Sequence, residues 1–503
     1  MHTALLLDMM ADTASERLAF GPRQSGLTYA EARRRARQGA VYLERLGGGT
    51  VVFVGLNGVA LPLALFASGL LARPFAPLNY RSPDADLNRL LARTAPAVAI
   101  IDDEMIERIS APDGVTLVAR STFEEACAAP GEADEAYLDV EHDVAVLLFT
   151  SGTTGEPKAA ILRHANLAAY VISTVDFMGA EEDEAALVSV PPYHIAGISA
   201  VLTGVYGGRR IVHMEAFTPE EWVEVAAREQ ITHAMVVPTM LGRILDVLEA
   251  RGETLPALRA LSYGGGRMPQ PVIERALRLM PHLDFVNAYG LTETSSTIAM
   301  LSPDDHREAI ASDEDRVRRR LGSVGRPLPS VEIEIRDPDG QVLPAGQPGE
   351  IYVRGEQVSG EYSHKRALDA DGWFATNDGG WLDDDGYLFV EGRLDDVIVR
   401  GGENISPGEI EDLLRTHPQI ADVAVLGVPD DEWGETVACA FVPRGSSPSS
   451  ADLASWVRSR LRSTKTPEVW EMREALPYND TGKLLRRQLK AEMAGAAKGL
   501  VRH

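Results

Sequence analysis

Short uninterrupted apolar runs recur along the first part of the chain, with stretches of helical spacing between them. Val51–Gly55 and Val98–Asp102 read as buried strands, and Leu61–Leu71 as the helix between. Ser82-Pro83 predicts a helix start, with serine at the N-cap and proline in the first turn. The alternation continues through Ala186–Val190, Arg210–His213, Ala234–Val237 and Ala260–Tyr263. Apolar strands separated by helices predict layered α/β architecture with sheets buried on both faces.

The texture changes after about residue 320. Val331–Arg336, Ile351–Gly355 and Gly386–Glu391 alternate polar with apolar residues. Asp337-Pro338-Asp339-Gly340 and Asp385-Gly386 supply the turns. This predicts antiparallel strands in a small β-barrel-like subdomain or twisted sheet. Beyond Gly392-Arg393 a further α/β unit begins. Ser406-Pro407-Gly408-Glu409 opens a helix, with Ser406 capping and Glu409 three residues on. Val423–Gly427 and Val437–Val442 read as strands, and Ser450–Leu461 as helix. No internal repeat or low-complexity linker interrupts the pattern. The expected division is a large domain, 1–394, and a small one, 395–503.

The chemistry begins at Leu148-Phe149-Thr150-Ser151-Gly152-Thr153-Thr154-Gly155-Glu156-Pro157-Lys158. A strand enters a loop of glycines and small hydroxyls and leaves past a lysine. Glycines let backbone N–H groups approach phosphate, hydroxyls add donors, and lysine adds point charge. G-x-x-x-x-G-K-[ST] is absent, so this is not the P-loop of nucleotide triphosphatases. Further along come His164 and Asn166, then Pro191-Pro192-Tyr193-His194, then Tyr263-Gly264-Gly265-Gly266-Arg267. Asn287-Ala288-Tyr289-Gly290-Leu291-Thr292-Glu293-Thr294, Thr376-Asn377-Asp378 with Arg393, Gly401-Gly402-Glu403-Asn404 and Pro477-Tyr478-Asn479-Asp480-Thr481-Gly482-Lys483 complete the series.

In content and order these segments resemble the acyl-adenylate-forming enzymes: acyl-CoA synthetases, peptide-synthetase adenylation domains and firefly luciferase. The resemblance spans nearly the whole chain. It implies a large ATP- and acyl-binding domain followed by a small mobile α+β domain. Lys483, Glu293, Thr150 and His194 would be the catalytic set. Thr150, Ser151, Gly152, Thr153, Thr154, Gly155 and Lys158 would meet phosphate. Gly264, Gly265, Gly266, Asn287, Ala288, Tyr289 and Gly290 would flank adenine and the acyl group. Thr292 would approach the α-phosphate, Glu293 would hold Mg²⁺, and Asp378 with Arg393 would hold ribose. Gly401 and Gly402 would line the path of CoA, and Asp395 falls at the hinge. Asn377 stands where the family has glycine. If that position needs positive φ, asparagine is the least costly replacement.

Peptide-synthetase domains carry an aspartate in the segment of His194 that grips an α-amine. None is present here, so the implied substrate is a non-amino carboxylic acid, a fatty acid foremost. The expected reaction consumes ATP, releases AMP and pyrophosphate through an acyl-adenylate, and passes the acyl group to CoA. Alternatives are an acyl-AMP ligase that loads the thiol of a separate acyl-carrier protein, and a nucleotide-binding homologue without turnover.

Composition narrows the partners. The 503 residues are 45% hydrophobic and 24% charged, an ordinary globular mixture. Lys and Arg number 49 against 74 Asp and Glu, a net charge of −25, which disfavours nucleic acid. Cys127 and Cys439 form no metal spacing and fit a reducing compartment. The longest apolar stretch, Val59–Ala72, is shorter than the roughly 20 residues a bilayer demands, so a buried helix is expected. No signal peptide is read at Met1–Met10, and the end soon after Lys483 leaves no room for a fused carrier domain. A cytoplasmic enzyme without integral membrane contact is the expectation. One chain carries every chemical group required, so a homodimer is expected without a chemical need behind it.

Overall fold

The computed structural model describes residues 1–131, 143–150, 157–363, 365–430, 433–479, 482 and 484–497. Two large sheets dominate. Among the described residues one has nine strands, of which Ala185–Val188, His233–Val236, Ala260–Gly264 and Asp284–Leu291 run parallel to one another. The other has eight, including Thr50–Val54, Ala97–Ile101, Val144–Thr150 and Lys158–Arg163. Helices Tyr29–Leu46, Ala60–Leu70 and Ile195–Gly207 lie between the sheets and share one core with both. Helices Pro219–Arg228, Pro238–Arg251 and Gln270–Leu279 cover the far face of the nine-stranded sheet, and Asp84–Thr94 covers that of the other.

This layering explains the apolar stretch. Every residue of Ala60–Leu70 is buried because sheets flank the helix, and no helix among the described residues is long and apolar enough to cross a membrane. The helix expected from Ser82 begins later, at Asp84. Pro83 takes the cap position in an extended conformation, so no serine cap forms.

Val331–Arg336, Gly349–Gly355, Phe374–Leu382 and Leu388–Arg393 form a four-stranded antiparallel sheet. Its apolar face packs on Ile298 and Ala299 of the nine-stranded sheet. From Ile398 onward a separate five-stranded sheet carries its own helices. Along Ile420–Asp430, Val423 and Val425 face the helix pair Pro407–Arg415 and Ser450–Arg458, while Ala424 and Leu426 face helix Arg486–Ala497. Alternation with a period of two therefore fills both faces. Pro407 does open its helix, but the Ser406 hydroxyl donates to the Glu391 carbonyl at 3.5 Å instead of capping. Glu409 pairs with Lys465.

Several imidazoles are held neutral inside the fold. His306 donates from Nδ1 to the Ser302 carbonyl at 2.7 Å and accepts from the Tyr263 hydroxyl at 2.8 Å. Burial lowers its pKa to about 4, and burial together with the charge of His2 lowers that of His164 to about 3. Unfolded histidines titrate near 6.5, so the unfolded chain takes up these protons first as pH falls. Their contribution is complete above pH 6.5 and is lost as pH drops toward the folded values. Each such histidine removes about 1.4 kcal/mol per pH unit in that window. Denaturant unfolding between pH 7 and 5 is expected to show this loss, and a flat profile would contradict neutral burial.

Candidate functional site

The loops that matter emerge at the carboxyl ends of parallel strands, where open α/β sheets place their ligands. After Ala185–Val188 comes Pro191–His194, after His233–Val236 comes Val237–Met240, and after Ala260–Gly264 comes the glycine turn. Asp284–Leu291 runs directly into Thr292–Thr294. Opposite them, Thr150 pairs with Lys158 across an antiparallel hairpin, the Thr150 hydroxyl donating to the Lys158 carbonyl at 3.4 Å. The tip of this hairpin, with Ser151, Gly152, Thr153, Thr154 and Gly155, lies outside the described residues, as does Lys483.

A compact polar cluster joins Tyr289, Asp378 and Arg393. The Tyr289 hydroxyl donates to Asp378 Oδ2 at 2.6 Å, and Arg393 Nη1 lies 3.3 Å from Asp378 Oδ1. Asp378 and Arg393 are register partners on adjacent strands, which places both charges at one point. Burial raises the Tyr289 pKa well above its ordinary value and the Asp378 charge adds to this, so the phenol remains a donor. Asn377 has φ +60°, the left-handed conformation that a glycine would take without cost. Its side chain also donates to Asp395 Oδ2 at 2.8 Å.

Glu293 lies just past the end of the strand that carries Tyr289. Its Oε1 accepts from the Tyr362 hydroxyl at 2.6 Å. Tyr362 lies on the short strand Glu361–Tyr362, paired with Ala160 of the glycine-rich hairpin. That strand physically links hairpin and Glu293. Sequence reading missed Tyr362, because a two-residue strand has no periodicity to mark it. Among the described residues no arginine or lysine pairs with Glu293, and no three His, Cys, Asp or Glu side chains gather as a metal cage. A lone carboxylate fits a Mg²⁺ that arrives on phosphate oxygens, since that ion usually takes one or two carboxylates.

The other expected residues are placed as follows. Asn287 is buried and donates Nδ2 to the Ser323 carbonyl at 3.0 Å, a bond that ties it to the fold. Gly264 and Gly290 lie where a Cβ would meet the carbonyl oxygens of Ala288 and Ser296 at 2.3 and 1.8 Å, so close backbone approach already requires them. Gly265 and Gly266 lie against Val237 and Pro238. His194 precedes helix Ile195–Gly207, with its ring 4.9 Å from that of Tyr193, which in turn packs edge-on against Tyr80 at 6.0 Å. Gly401 and Gly402 form the turn between strands Ile398–Arg400 and Glu403–Ile405, and Gly401 N–H donates to the Trp433 carbonyl at 2.9 Å. They belong to the C-terminal sheet and do not join the Asp378 cluster or the cavity lining.

That cavity, of about 370 Å³, opens between the two sheets. Its wall combines Tyr80, Phe217, Val237 and Met240 with Tyr478, Asn479 and Gly482 of the C-terminal part. Gly482 has φ +70°, and a Cβ there would fall 2.3 Å from Thr239 Oγ1. Arg267, just after the glycine turn, pairs with Asp412 of helix Pro407–Arg415. Both halves thus meet over the strand ends. The runs Tyr193–Ile198 and Met235–Met240 carry no acid or arginine, but Arg81, Glu215 and Arg243 line the same cavity from other loops. Their positions are dispersed in sequence, and no local pattern marks them.

The model of the AMP-binding enzyme family matches residues 8–363, and that of the AMP-binding enzyme C-terminal domain matches 409–483. The chain is 34% identical to a feruloyl-CoA synthase of Amycolatopsis sp, covering 93% of this chain and 94% of that one. It is 31% identical to the fatty acid–[acyl-carrier-protein] ligase ScoC of Streptomyces coeruleorubidus, with 93% and 92% covered. ATP-bound MatB from Rhodopseudomonas palustris superposes with a TM-score of 0.88 at 27% identity, with 98% and 99% covered. MenE from Bacillus subtilis, in complex with the acyl-adenylate intermediate OSB-AMP, gives 0.81 at 30% identity, with 96% and 97% covered. The chain therefore belongs to the AMP-binding enzymes, the adenylate-forming superfamily of acyl- and aryl-CoA ligases. It is an AMP-forming ligase that works through an acyl-adenylate.

Proposed function

We propose that this enzyme activates a non-amino carboxylic acid with ATP and transfers the acyl group to CoA. The observation that carries the reading is the Tyr289–Asp378–Arg393 cluster together with Glu293, which follows Tyr289 just past the end of the same strand and is held by Tyr362. A carboxylate is a poor acyl donor because its leaving group would be oxide. Joining it to the α-phosphorus of ATP creates a good leaving group, but one anion must approach another. Lys483 and the donors of the Thr150–Gly155 loop would lower that repulsion electrostatically. Asp378 would accept from the ribose hydroxyls, with Arg393 fixing the carboxylate. Mg²⁺ on Glu293 would neutralise phosphate oxygens. No covalent enzyme intermediate is required, and Ser151 needs no nucleophilic role.

CoA capture asks for a different surface. The proposed boundary at residues 394 and 395 would let the C-terminal part turn near Asp395, withdrawing Lys483 and bringing in Gly401 and Gly402 while the acyl-adenylate stays shielded from water. Loading of a carrier protein is the second reading, supported by the similarity to ScoC.

Incubation with ATP, an acid panel and either CoA or a carrier protein tests both readings. Acyl-CoA with equimolar AMP is expected for one or more non-amino acids of the panel. Carrier acylation without acyl-CoA would favour the second reading. Release of ADP and orthophosphate with no acyl-AMP would overturn both.

A further inference from the structure

We infer that Tyr362 is a positioning residue for cation capture: its hydroxyl holds one oxygen of the Glu293 carboxylate so that the other faces the metal–nucleotide. The inference rests on the reading that Glu293 holds Mg²⁺ and adds to it a residue the motifs do not contain. Glu293 is gripped twice by one segment. The N–H groups of Ser359 and Gly360 donate to its backbone carbonyl at 2.9 and 3.2 Å. Two residues later the Tyr362 hydroxyl donates to its Oε1 at 2.6 Å. Backbone and side chain of the acid are thus set by three residues of one short segment, Ser359, Gly360 and Tyr362.

That segment is itself anchored. Arg163 makes a two-pronged pair with Glu361, both bonds at 2.9 Å. Ser363 N–H donates to the Ala159 carbonyl at 3.2 Å, and the Ser359 hydroxyl donates to that of Ile161. All these anchors lie on strand Lys158–Arg163, the outgoing arm of the glycine-rich hairpin. The arrangement couples the place where phosphate is expected to the carboxylate expected to share its cation. A bidentate pair resists rotation of the strand, so the phenol is presented at a fixed angle. A carboxylate with one oxygen occupied has fewer rotamers to lose when the other oxygen binds a cation. Outer-shell donors of this kind are typically worth about 10–100-fold in metal affinity.

The test uses the full chain with an α,β-methylene ATP analogue and Mn²⁺, with bound Mn²⁺ read by electron paramagnetic resonance. Tyr362→Phe keeps the ring and removes the donor. Its half-saturating Mn²⁺ is expected to rise about tenfold or more, with metal-free analogue affinity and melting temperature unchanged. Equal Mn²⁺ affinity in Tyr362→Phe and wild type would overturn the inference, as would parallel loss of metal-free analogue binding, which would mark a general structural support. Glu293→Gln separates the two levels. If it binds Mn²⁺ like wild type, the metal reading itself fails. If it binds weakly while Tyr362→Phe is normal, only the role of Tyr362 falls.

Discussion

Replacing Lys483 with alanine is expected to lower acyl-adenylate formation by about 10²–10³-fold, the usual cost of removing one preorganised charge-stabilising donor. Capture of pre-formed acyl-adenylate by CoA should change by much less. The asymmetry follows from the charges. In the first half-reaction a carboxylate approaches a phosphate ester, and every cation at that point lowers the barrier. In the second the nucleotide leaves as AMP, and the incoming thiol brings no charge to be neutralised by Lys483. Gly482 stands against Val237 and Thr239 in the cavity wall, one residue before the lysine. Pyrophosphate exchange measures the first half-reaction, and thioester formation from supplied acyl-adenylate measures the second. Equal losses in both would refute the division of labour.

Legibility in the sequence followed how local each signal was. Arg210–His213 and Val331–Arg336 form strands with the expected bounds, the first built on the β-branched pair Ile211-Val212 and the second a strict alternation before a tight turn. The expectation for Asn377 rested on backbone sterics alone, and φ +60° bears it out. Helix starts were less secure. Pro83 and Ser406 have the right residue types, yet Pro83 is extended and the Ser406 hydroxyl is drawn to Glu391, since a tertiary acceptor competes with the cap. The motifs located the strand-end loops and paired Asp378 with Arg393. They did not reveal Tyr362, whose significance lies in a partner 69 positions away. Nor did they reveal that Arg81, Glu215 and Arg243 line one cavity, because loops from separate parts of the fold bring them together. Ligand-facing chemistry set by a contiguous motif is readable, and chemistry set by assembly is not.

Gly482→Ala should imitate Lys483→Ala without touching any chemical group. At φ +70° an added methyl is strained by about 1–2 kcal/mol. It would also stand 2.3 Å from Thr239 Oγ1 and 3.0 Å from Val237 Cγ2, so the loop must lift off the strand-end wall. Displacing the loop moves its neighbour Lys483 while leaving the nucleotide cluster at Asp378 intact. Adenylation is therefore expected to fall about 10²-fold, the cost of a 1 Å misplacement of a catalytic group, with thioester formation from supplied acyl-adenylate largely kept. Thr239→Ala in the same chain removes the nearer clash but not the backbone strain. The double variant should recover part of the loss and remain about tenfold below wild type, the equivalent of that residual 1–2 kcal/mol. Pyrophosphate exchange on the two variants reads this directly. Absence of any rescue, or an equal loss of thioester formation, would mean that the contact between Gly482 and Thr239 does not govern the adenylating arrangement.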